Sequence, residues 1–382
     1  MGSSSDGDAV FYDIVGAVML SDGRIVVANR GTSEVMFFAP DGNFLFAAGG
    51  SGDGPGAFLS LATLGVGSDD TLFTYDDRTG RISVFSADGA FLRTRRIDIR
   101  SALPAGFGFG PGLQAAGWTP AGELVAFRTS TSARSGRDSS DSLGRARPSA
   151  TYSESLRLRR PMIELLSFDR EGRLASRIGE LKGSESLFLT QVQDQRDDGG
   201  SGTISMTSSV LDLPFLKTFQ ADAAWGAVAF GNTADYEIRV TDASGDLMYT
   251  VRRARVSGTV TTGDRNAWIQ GRLSVISDPE LRERRRRLYD GIEFPTTMPA
   301  FSSLALQEDG ELWVEEFDVD AARRGHTRWS VYGAGGTHLG DATMPARLRP
   351  MSIGRDYLLG VWKDELDVEY VRVHDVMRPS GG

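Results

Sequence analysis

The sequence predicts an all-β protein, a six-bladed β-propeller whose blades are small antiparallel sheets around one axis. A unit of strand, polar loop, strand, Asp-Gly turn and strand occupies residues 23–46 and recurs with the same internal distances at 70–93. The turn glycines Gly42 and Gly89 are therefore 47 residues apart, close to the length of one four-stranded blade. Glycine is also abundant, with 46 of 382 residues, as expected for many short strands joined by turns.

The same unit returns three times with wider gaps, at 165–178, 238–251 and 329–342, and each copy has an alternating strand four residues before a turn glycine. These glycines are Gly172, Gly245 and Gly336. A sixth copy at 356–376 contains two strands and then ends. Each copy follows a stretch of small apolar residues that suits the crowded axis of a radial array, namely 14–20, 61–67, 113–119, 223–230, 301–307 and 350–354.

We therefore expect a single domain over 14–376, with long loop insertions on one face and one short inserted helix near 279–289. The expected blades are about 14–48, 60–98, 113–180, 215–254, 300–342 and 348–376, and the expected insertions are 129–160 and 255–298. A pair of β-sandwiches is the rival architecture. It explains the strands but not the fixed distance from loop to turn glycine in successive units.

A glycine-rich stretch, GGSGDGPGAF at 49–58, raises the question of a phosphate-binding loop. The dinucleotide pattern needs a third glycine at the fifth step, where this sequence has Pro55 or Ala57, and no helix follows to bind phosphate. The stretch lies between the last strand of one unit and the axial strand of the next. We interpret it as a crossover, with Phe58 packed between two blades.

Charge and composition exclude several function classes. The net charge of −9 argues against bulk binding of nucleic acid, and the lack of cysteine excludes disulfides and thiolate chemistry. No run of 18 apolar residues is present, so no membrane span is expected. The first residues, MGSSSDGDA, lack the basic-then-apolar pattern of an export signal, which suits either a cytosolic protein or an exported one whose signal is absent from this sequence.

Several segments together resemble the exported bacterial six-bladed propellers related to NHL-repeat proteins: GDGPGAF, YDDRTGRISVFSADG, ADYEIRVTDASG, GELWVEEF and DELDVEYVRVHDV. The resemblance implies the propeller fold and a periplasmic or extracellular location, with the signal absent from this sequence, and it implies no particular activity. NHL-type relatives carry Asp at the end of the second strand and Arg before the third. Blade two keeps both, as Asp76 and Arg81, whereas blade one has Asn29 and Glu34.

The chain ends suggest an incomplete sixth blade. The start at 6–11 aligns with the crossover at 53–58, and only MRPSGG follows residue 376. Propellers commonly close their ring by completing one blade from both termini, which removes exposed sheet edges. We therefore expect three strands in blade six and a closing strand upstream of Met1.

Two insertions carry strong charge. Residues 128–160 contain eight arginines and three acidic residues, which suits either a solvated loop or hairpin extension, or a basic arm that binds an anionic ligand or partner. Residues 278–290 predict a helix, because Asp278 can cap it, Pro279 suits its first turn and glutamates precede arginines by four residues.

No motif of catalysis or metal binding emerges. His326, His338 and His374 are expected at strand ends on different faces, too far apart for one zinc ion. The axial stretches hold almost only small and apolar residues, so they offer no set of calcium ligands. No serine-nucleophile elbow occurs either. We therefore expect neither a metal nor a cofactor.

Function on propellers lies in loops, and the second-to-third-strand loops share one face with the crossovers between blades. We predict a non-catalytic binding or scaffold propeller that recognises a small molecule, glycan or protein partner there. An alternative is a metal-dependent hydrolase or lyase resembling propeller lactonases or esterases, and a third is an interaction protein without a pocket. Asp76 also has a purely structural interpretation, binding loop N–H groups. The candidate ligand-binding residues on this face are Arg30, Asp76, Arg78, Arg128, Asn232, Glu316 and Lys363.

Overall fold

The computed structural model describes residues 10–98, 112–129, 151–194, 203–211, 213–254 and 257–377. Strands dominate these residues, and the predicted all-β propeller is confirmed. Blades one and two each contain four antiparallel strands in sequence order. They comprise β1 (Ile14–Met19), β2 (Ile25–Asn29), β3 (Glu34–Phe38) and β4 (Phe44–Gly49), followed by β5 (Leu61–Val66), β6 (Leu72–Asp76), β7 (Arg81–Phe85) and β8 (Phe91–Arg96).

Blade three is interrupted by a separate three-stranded sheet. The blade contains β9 (Gln114–Trp118), β10 (Leu124–Thr129), β12 (Met162–Phe168) and β13 (Leu174–Lys182), and the inserted sheet contains β11 (Thr151–Arg159), β14 (Ser186–Asp194) and β15 (Ile204–Leu211). Blade four follows with β16 (Phe219–Ala224), β17 (Ala227–Asn232), β18 (Glu237–Thr241) and β19 (Leu247–Arg252).

Two helices precede blade five, α1 (Thr262–Ser274) and α2 (Pro279–Asp290), and a short helix α3 (Ala321–Arg324) lies within it. Blade five contains β20 (Phe301–Leu306), β21 (Leu312–Glu316), β22 (His326–Tyr332) and β23 (His338–Pro345). Among the described residues, blade six has three strands, β24 (Leu348–Ile353), β25 (Tyr357–Lys363) and β26 (Glu369–Asp375).

The predicted turn glycines have the backbone conformation that makes glycine necessary there. Their φ angles lie between 74° and 94°, in the left-handed region that side chains disfavour. They connect the third strand of a blade to its fourth, as the repeat predicts, and they are Gly42, Gly89, Gly172, Gly245 and Gly336.

Each axial strand contacts the next, and β24 contacts β1, so the six blades form a closed ring. A separate apolar core fills each of the six junctions between neighbouring blades. Phe58, from the glycine-rich crossover, lies buried in the core between blades one and two, as predicted. The crossover forms a tight loop, which is closed by a hydrogen bond of 2.9 Å from the backbone N–H of Phe58 to the carbonyl of Gly50.

Small residues are required where axial strands meet. A Cβ atom on Gly16 would lie 2.7 Å from the Cβ of Leu64 in the next blade, and one on Gly65 would lie 2.4 Å from Trp118. At Gly117 the added atom would lie 2.1 Å from the carbonyl oxygen of Ala223. The axial strands therefore approach one another at glycine, which is the crowding that the sequence indicated.

All insertions emerge on the face that carries the second-to-third-strand loops and the crossovers, which we call the upper face. Strand β11 lies between the second and third strands of blade three, and β14 and β15 lie in the crossover to blade four. Helices α1 and α2 lie in the crossover to blade five. Since strands alternate in direction within a blade, these connections share one end of the ring.

Two expectations about the insertions need correction. Only α2 was predicted, whereas α1 also forms: Thr261 and Asp264 make a capping box, and the two internal glycines, Gly263 and Gly271, hid its helical pattern. The arginine-rich insertion was interpreted as a loop, hairpin extension or basic arm, but residues 151–159 pair over their whole length with β14 in a separate sheet. Residues 130–150 of that insertion lie outside the described residues.

Candidate functional site

Polar side chains at the ends of second strands bind the adjoining crossovers. The Asp76 carboxylate accepts hydrogen bonds from the backbone N–H groups of Leu59 at 2.6 Å, Ser60 at 3.0 Å and Thr79 at 2.8 Å. Burial raises the pKa of Asp76, but the hydrogen bonds from Ser60, Thr79 and Leu59 outweigh it, so the pKa lies below its ordinary value. Asp76 therefore has a structural role, because its carboxylate holds the backbone of the preceding crossover and of the following turn.

Equivalent positions in other blades make similar bonds. Asn29 accepts from the N–H of Tyr12 at 3.1 Å and donates to the carbonyl of Val10 at 2.8 Å. Asn232 donates to the carbonyls of Lys182 at 3.0 Å and Gly183 at 3.1 Å. These amides bind the incoming chain to the ring, as the Asp76 carboxylate does.

Glu316 joins blades four and five. Its carboxylate, only 3% exposed, accepts hydrogen bonds from the Tyr236 hydroxyl at 3.1 Å, the Ser330 hydroxyl at 2.7 Å and the Arg253 guanidinium at 3.0 Å. Tyr236 and Arg253 flank the third and fourth strands of blade four. The same carboxylate oxygen, Oε1, accepts all three bonds, and they hold blades four and five together.

The remaining predicted site residues are basic. Arg30 donates to the carbonyl of Leu61 at 2.7 Å, Arg128 pairs with Glu164 at 2.6 Å, and Lys363 pairs with Glu369 at 3.1 Å. Arg78 is exposed in the turn after β6. All seven candidates lie on or next to the upper face, but they are distributed around the ring, and their role in ligand binding stays a prediction.

The inserted elements form a second structural layer with its own core. We call β11, β14, β15, α1 and α2 the cap. Buried side chains from the sheet and both helices meet there, and Trp268 packs edge-on against Tyr289 with ring centroids 5.3 Å apart. The cap core comprises Leu187, Leu213, Ile269, Leu273, Tyr289 and Ile292.

A buried polar network attaches the cap to blade four. Arg160, just after β11, donates to Asn232 and pairs with Glu185 at 3.5 Å. Glu185 accepts the backbone N–H of Lys217 at 2.8 Å, and the Lys217 ammonium donates to the carbonyl of Thr297. Burial lowers the pKa of Lys217, although Glu185 acts in the opposite direction. The network fixes the cap against the crossovers on both sides of blade four.

Between the cap and blades four and five lies a pocket of about 500 Å³, which we call the cap pocket. Its walls are mainly apolar, and a few polar groups, including Glu185 and Gln220, reach its surface. Phe215 has a φ of 70°, an uncommon conformation for a bulky residue, and its ring lies 6.3 Å from that of Phe317. The size and lining match those of small-molecule sites.

A channel of about 290 Å³ follows the axis, lined by the first strands of all six blades. These strands carry two charged side chains, Asp222 and Arg349. Burial raises the pKa of Asp222 to about 6. Arg349 donates to the carbonyl of Ile14 at 2.8 Å, and burial lowers its pKa despite the nearby carboxylates of Glu369 and Asp13.

Both charges were missed from the sequence because the axial strands of blades four and six were predicted to begin at residues 223 and 350, after Asp222 and Arg349. It assigned 223–230 to one axial strand, whereas the strand ends at Ala224 and a tight turn follows at Trp225 and Gly226, both with positive φ. No proline or Asn-Gly pair marks that turn. In blade six the strand begins at Leu348, two residues earlier than predicted, which brings Arg349 into the channel.

The histidines lie in separate places. His326 begins β22, His338 begins β23 and binds Asp341 at 3.1 Å, and His374 lies in β26. In the part of the chain that the structure describes, no three His, Asp or Glu side chains come together in a way that could hold a metal ion. Likewise, no described helix is long and apolar enough to cross a membrane.

No curated protein matches this sequence significantly. Among solved structures, the chain is similar to a putative exported protein from Bacteroides fragilis, with 13% identity, a TM-score of 0.44, and coverage of 95% of this chain and 82% of that one. It is also similar to virginiamycin B lyase from Staphylococcus aureus, with 10% identity, a TM-score of 0.39 and 95% coverage of both chains.

A third similar structure is a gluconolactonase from Xanthomonas campestris, with 11% identity, a TM-score of 0.40, and coverage of 97% of this chain and 87% of that one. Residues 8–105, which include blades one and two, match the model of the family DUF5128, described as a 6-bladed beta-propeller. The ring of six blades and this match agree, and the chain is a six-bladed β-propeller.

Proposed function

We propose that this propeller is a binding protein for a small molecule with an apolar body, which it holds in the cap pocket. The observation that carries the proposal is the pocket itself, a cleft of about 500 Å³ between a separately built cap and the upper face. Its walls include Val210, Leu213, Phe215 and Phe317. Burial of an apolar ligand against such walls supplies affinity, and a few polar groups orient it.

The chemistry of the lining favours an apolar or amphipathic molecule over a glycan. Five polar side chains line the pocket, those of Glu185, Ser186, Thr218, Gln220 and Ser302. Two of them already bond to each other, since the Gln220 amide donates to the Thr218 hydroxyl at 3.0 Å, so few groups remain for the many hydroxyls of a sugar. Glu185 already binds the backbone of Lys217, so it is held in place before a ligand arrives. A ligand hydroxyl or amine next to the apolar body would match this arrangement.

The test fills the pocket and leaves the rest of the cap unchanged. Val210 and Met206 lie four residues apart on β15, and both are exposed, but only Val210 lines the pocket. We expect Val210→Trp to weaken binding of the fluorescent apolar probe anilinonaphthalene sulfonate by about tenfold or more, and Met206→Trp to leave it unchanged. Equal binding by both variants and wild type would reject the cap pocket as the site.

A further inference from the structure

A second pocket, of about 580 Å³, lies between blades five and six on the upper face, and we call it the interblade pocket. One of its walls is a row across blade five, in which Ser303 pairs with Glu315 and Glu315 pairs with Trp329 on neighbouring strands. The opposite wall belongs to blade six. There Arg347, Arg349 and Lys363 line the pocket.

Glu315 is the unusual group on the first wall. Within the described chain its carboxylate has no hydrogen bond and no ion pair, while the adjacent Glu316 makes three bonds to side chains. It is half-buried, and burial alone raises its pKa to about 7. A carboxyl group in this position is costly without a partner, so a bound molecule that supplied one would be favoured.

The second wall offers positive charge. Arg347 donates to the carbonyl of Asp364 at 2.5 Å, and Arg349 donates to that of Ile14 at 2.8 Å. An arginine carries several N–H donors, so a bond to one carbonyl leaves others for an anionic group. Two exposed acidic residues, Glu365 and Asp367, also line the pocket and would attract a cationic group towards it.

We propose that the interblade pocket binds a small zwitterion, whose protonated amine pairs with Glu315 and whose carboxylate pairs with the basic groups of blade six. Glu315 on the wall of blade five and the arginines on the wall of blade six orient such a molecule along the pocket, whereas a molecule with one charge satisfies only one wall. The site shares no residue with the cap pocket, so it does not depend on the function proposed there.

A series of linear amino acids measures both the charge requirement and the distance between the walls. Glycine, 4-aminobutyrate and 6-aminohexanoate would be titrated calorimetrically at neutral pH and low salt, with hexylamine and hexanoate as probes that carry one charge each. We expect one chain length to bind best, and about tenfold more tightly than either singly charged probe.

Variants assign the two ends of the ligand. Glu315→Gln keeps the shape of the side chain and should weaken binding of the best zwitterion about tenfold or more, while Glu308→Gln, the same change at an exposed turn, should leave it unchanged. Arg347→Gln should weaken the zwitterion and hexanoate but not hexylamine. Circular dichroism would confirm that each variant is folded.

Three results would overturn the proposal. One is the lack of saturable binding for every member of the series. Another is equal affinity of Glu315→Gln and wild type for the best zwitterion. The third is equal affinity for the zwitterion and for hexylamine, which would show that the basic wall contributes nothing to recognition. None of these results would bear on the cap pocket, where binding of the fluorescent probe is measured separately.

Discussion

The carboxylate of Asp222 in blade four accepts a hydrogen bond of 2.7 Å from the backbone N–H of Leu306 in blade five. Both residues lie on axial strands, so the bond joins neighbouring blades at the channel. Burial raises the pKa of Asp222 from 3.8 to about 6. Between these two values the folded protein holds a proton that the unfolded chain has lost, which links stability to pH.

The contribution of this group to stability is therefore fully present below about pH 4 and is lost as the pH rises through about 6. Asp222→Asn keeps an oxygen acceptor for Leu306 and carries no charge at any pH. We expect the variant to be more stable than wild type by about 1–3 kcal/mol above pH 7 and equal to it below about pH 4. Urea unfolding across this range measures the difference, and a difference that does not change with pH would contradict the assignment.

Asp76 should be important for stability. Asp76→Ala leaves the N–H groups of Leu59, Ser60 and Thr79 without their acceptor, so we expect a loss of about 2–4 kcal/mol in the free energy of unfolding. Asp76→Asn, which reproduces the residue type at Asn29, should lose less. The control is Asp77→Ala at the exposed neighbouring position, expected within about 0.5 kcal/mol of wild type. Similar losses for Asp76→Ala and Asp77→Ala would refute the structural role.

Close approach at the axis makes Gly117 hard to replace. A Cβ atom there would lie 2.1 Å from the Ala223 carbonyl oxygen, so Gly117→Ala should separate blades three and four and lower the unfolding free energy by about 3 kcal/mol or more. Gly54 has open space around its Cα, and Gly54→Ala should change stability by less than about 0.5 kcal/mol. Thermal unfolding of the two variants tests this close approach of the axial strands. Equal melting temperatures for Gly117→Ala and Gly54→Ala would contradict it.

The cap should unfold as a unit when its core is disturbed. Leu273 is 2% exposed in that core, whereas Val275, two residues further on, is 82% exposed. We expect Leu273→Ala to cost about 2–4 kcal/mol and to accelerate hydrogen exchange in 186–194, 204–211 and 262–290, with blades one and two unchanged. Val275→Ala should alter neither. Uniform acceleration over the whole ring would show that the cap has no independent cooperativity.

Local signals in the sequence were sufficient for the blades. A glycine at positive φ cannot readily be replaced, so turn glycines such as Gly42 and Gly89 recur at the same place in each blade. A strand with one buried face must alternate apolar and polar side chains, which makes the strands recognisable as well. The same reasoning placed Phe58 between blades and the polar strand ends on the upper face. The signals for these features, a turn glycine, an alternating strand and a polar residue at a strand end, each occupy a few consecutive residues, so the sequence records them directly.

The roles of the polar side chains depend on the tertiary structure. Glu315 and Glu316 are adjacent and identical in type, but successive residues of a strand point to opposite faces. Glu316 accepts three hydrogen bonds from side chains. Glu315 borders the interblade pocket and has no partner among the described residues. The cap likewise needed the fold, because Leu187 and Leu273 are far apart in sequence and meet only when the inserted sheet and helices pack together. The repeating blades can be predicted from the sequence because their signals are local, whereas the pockets arise from contacts between distant segments.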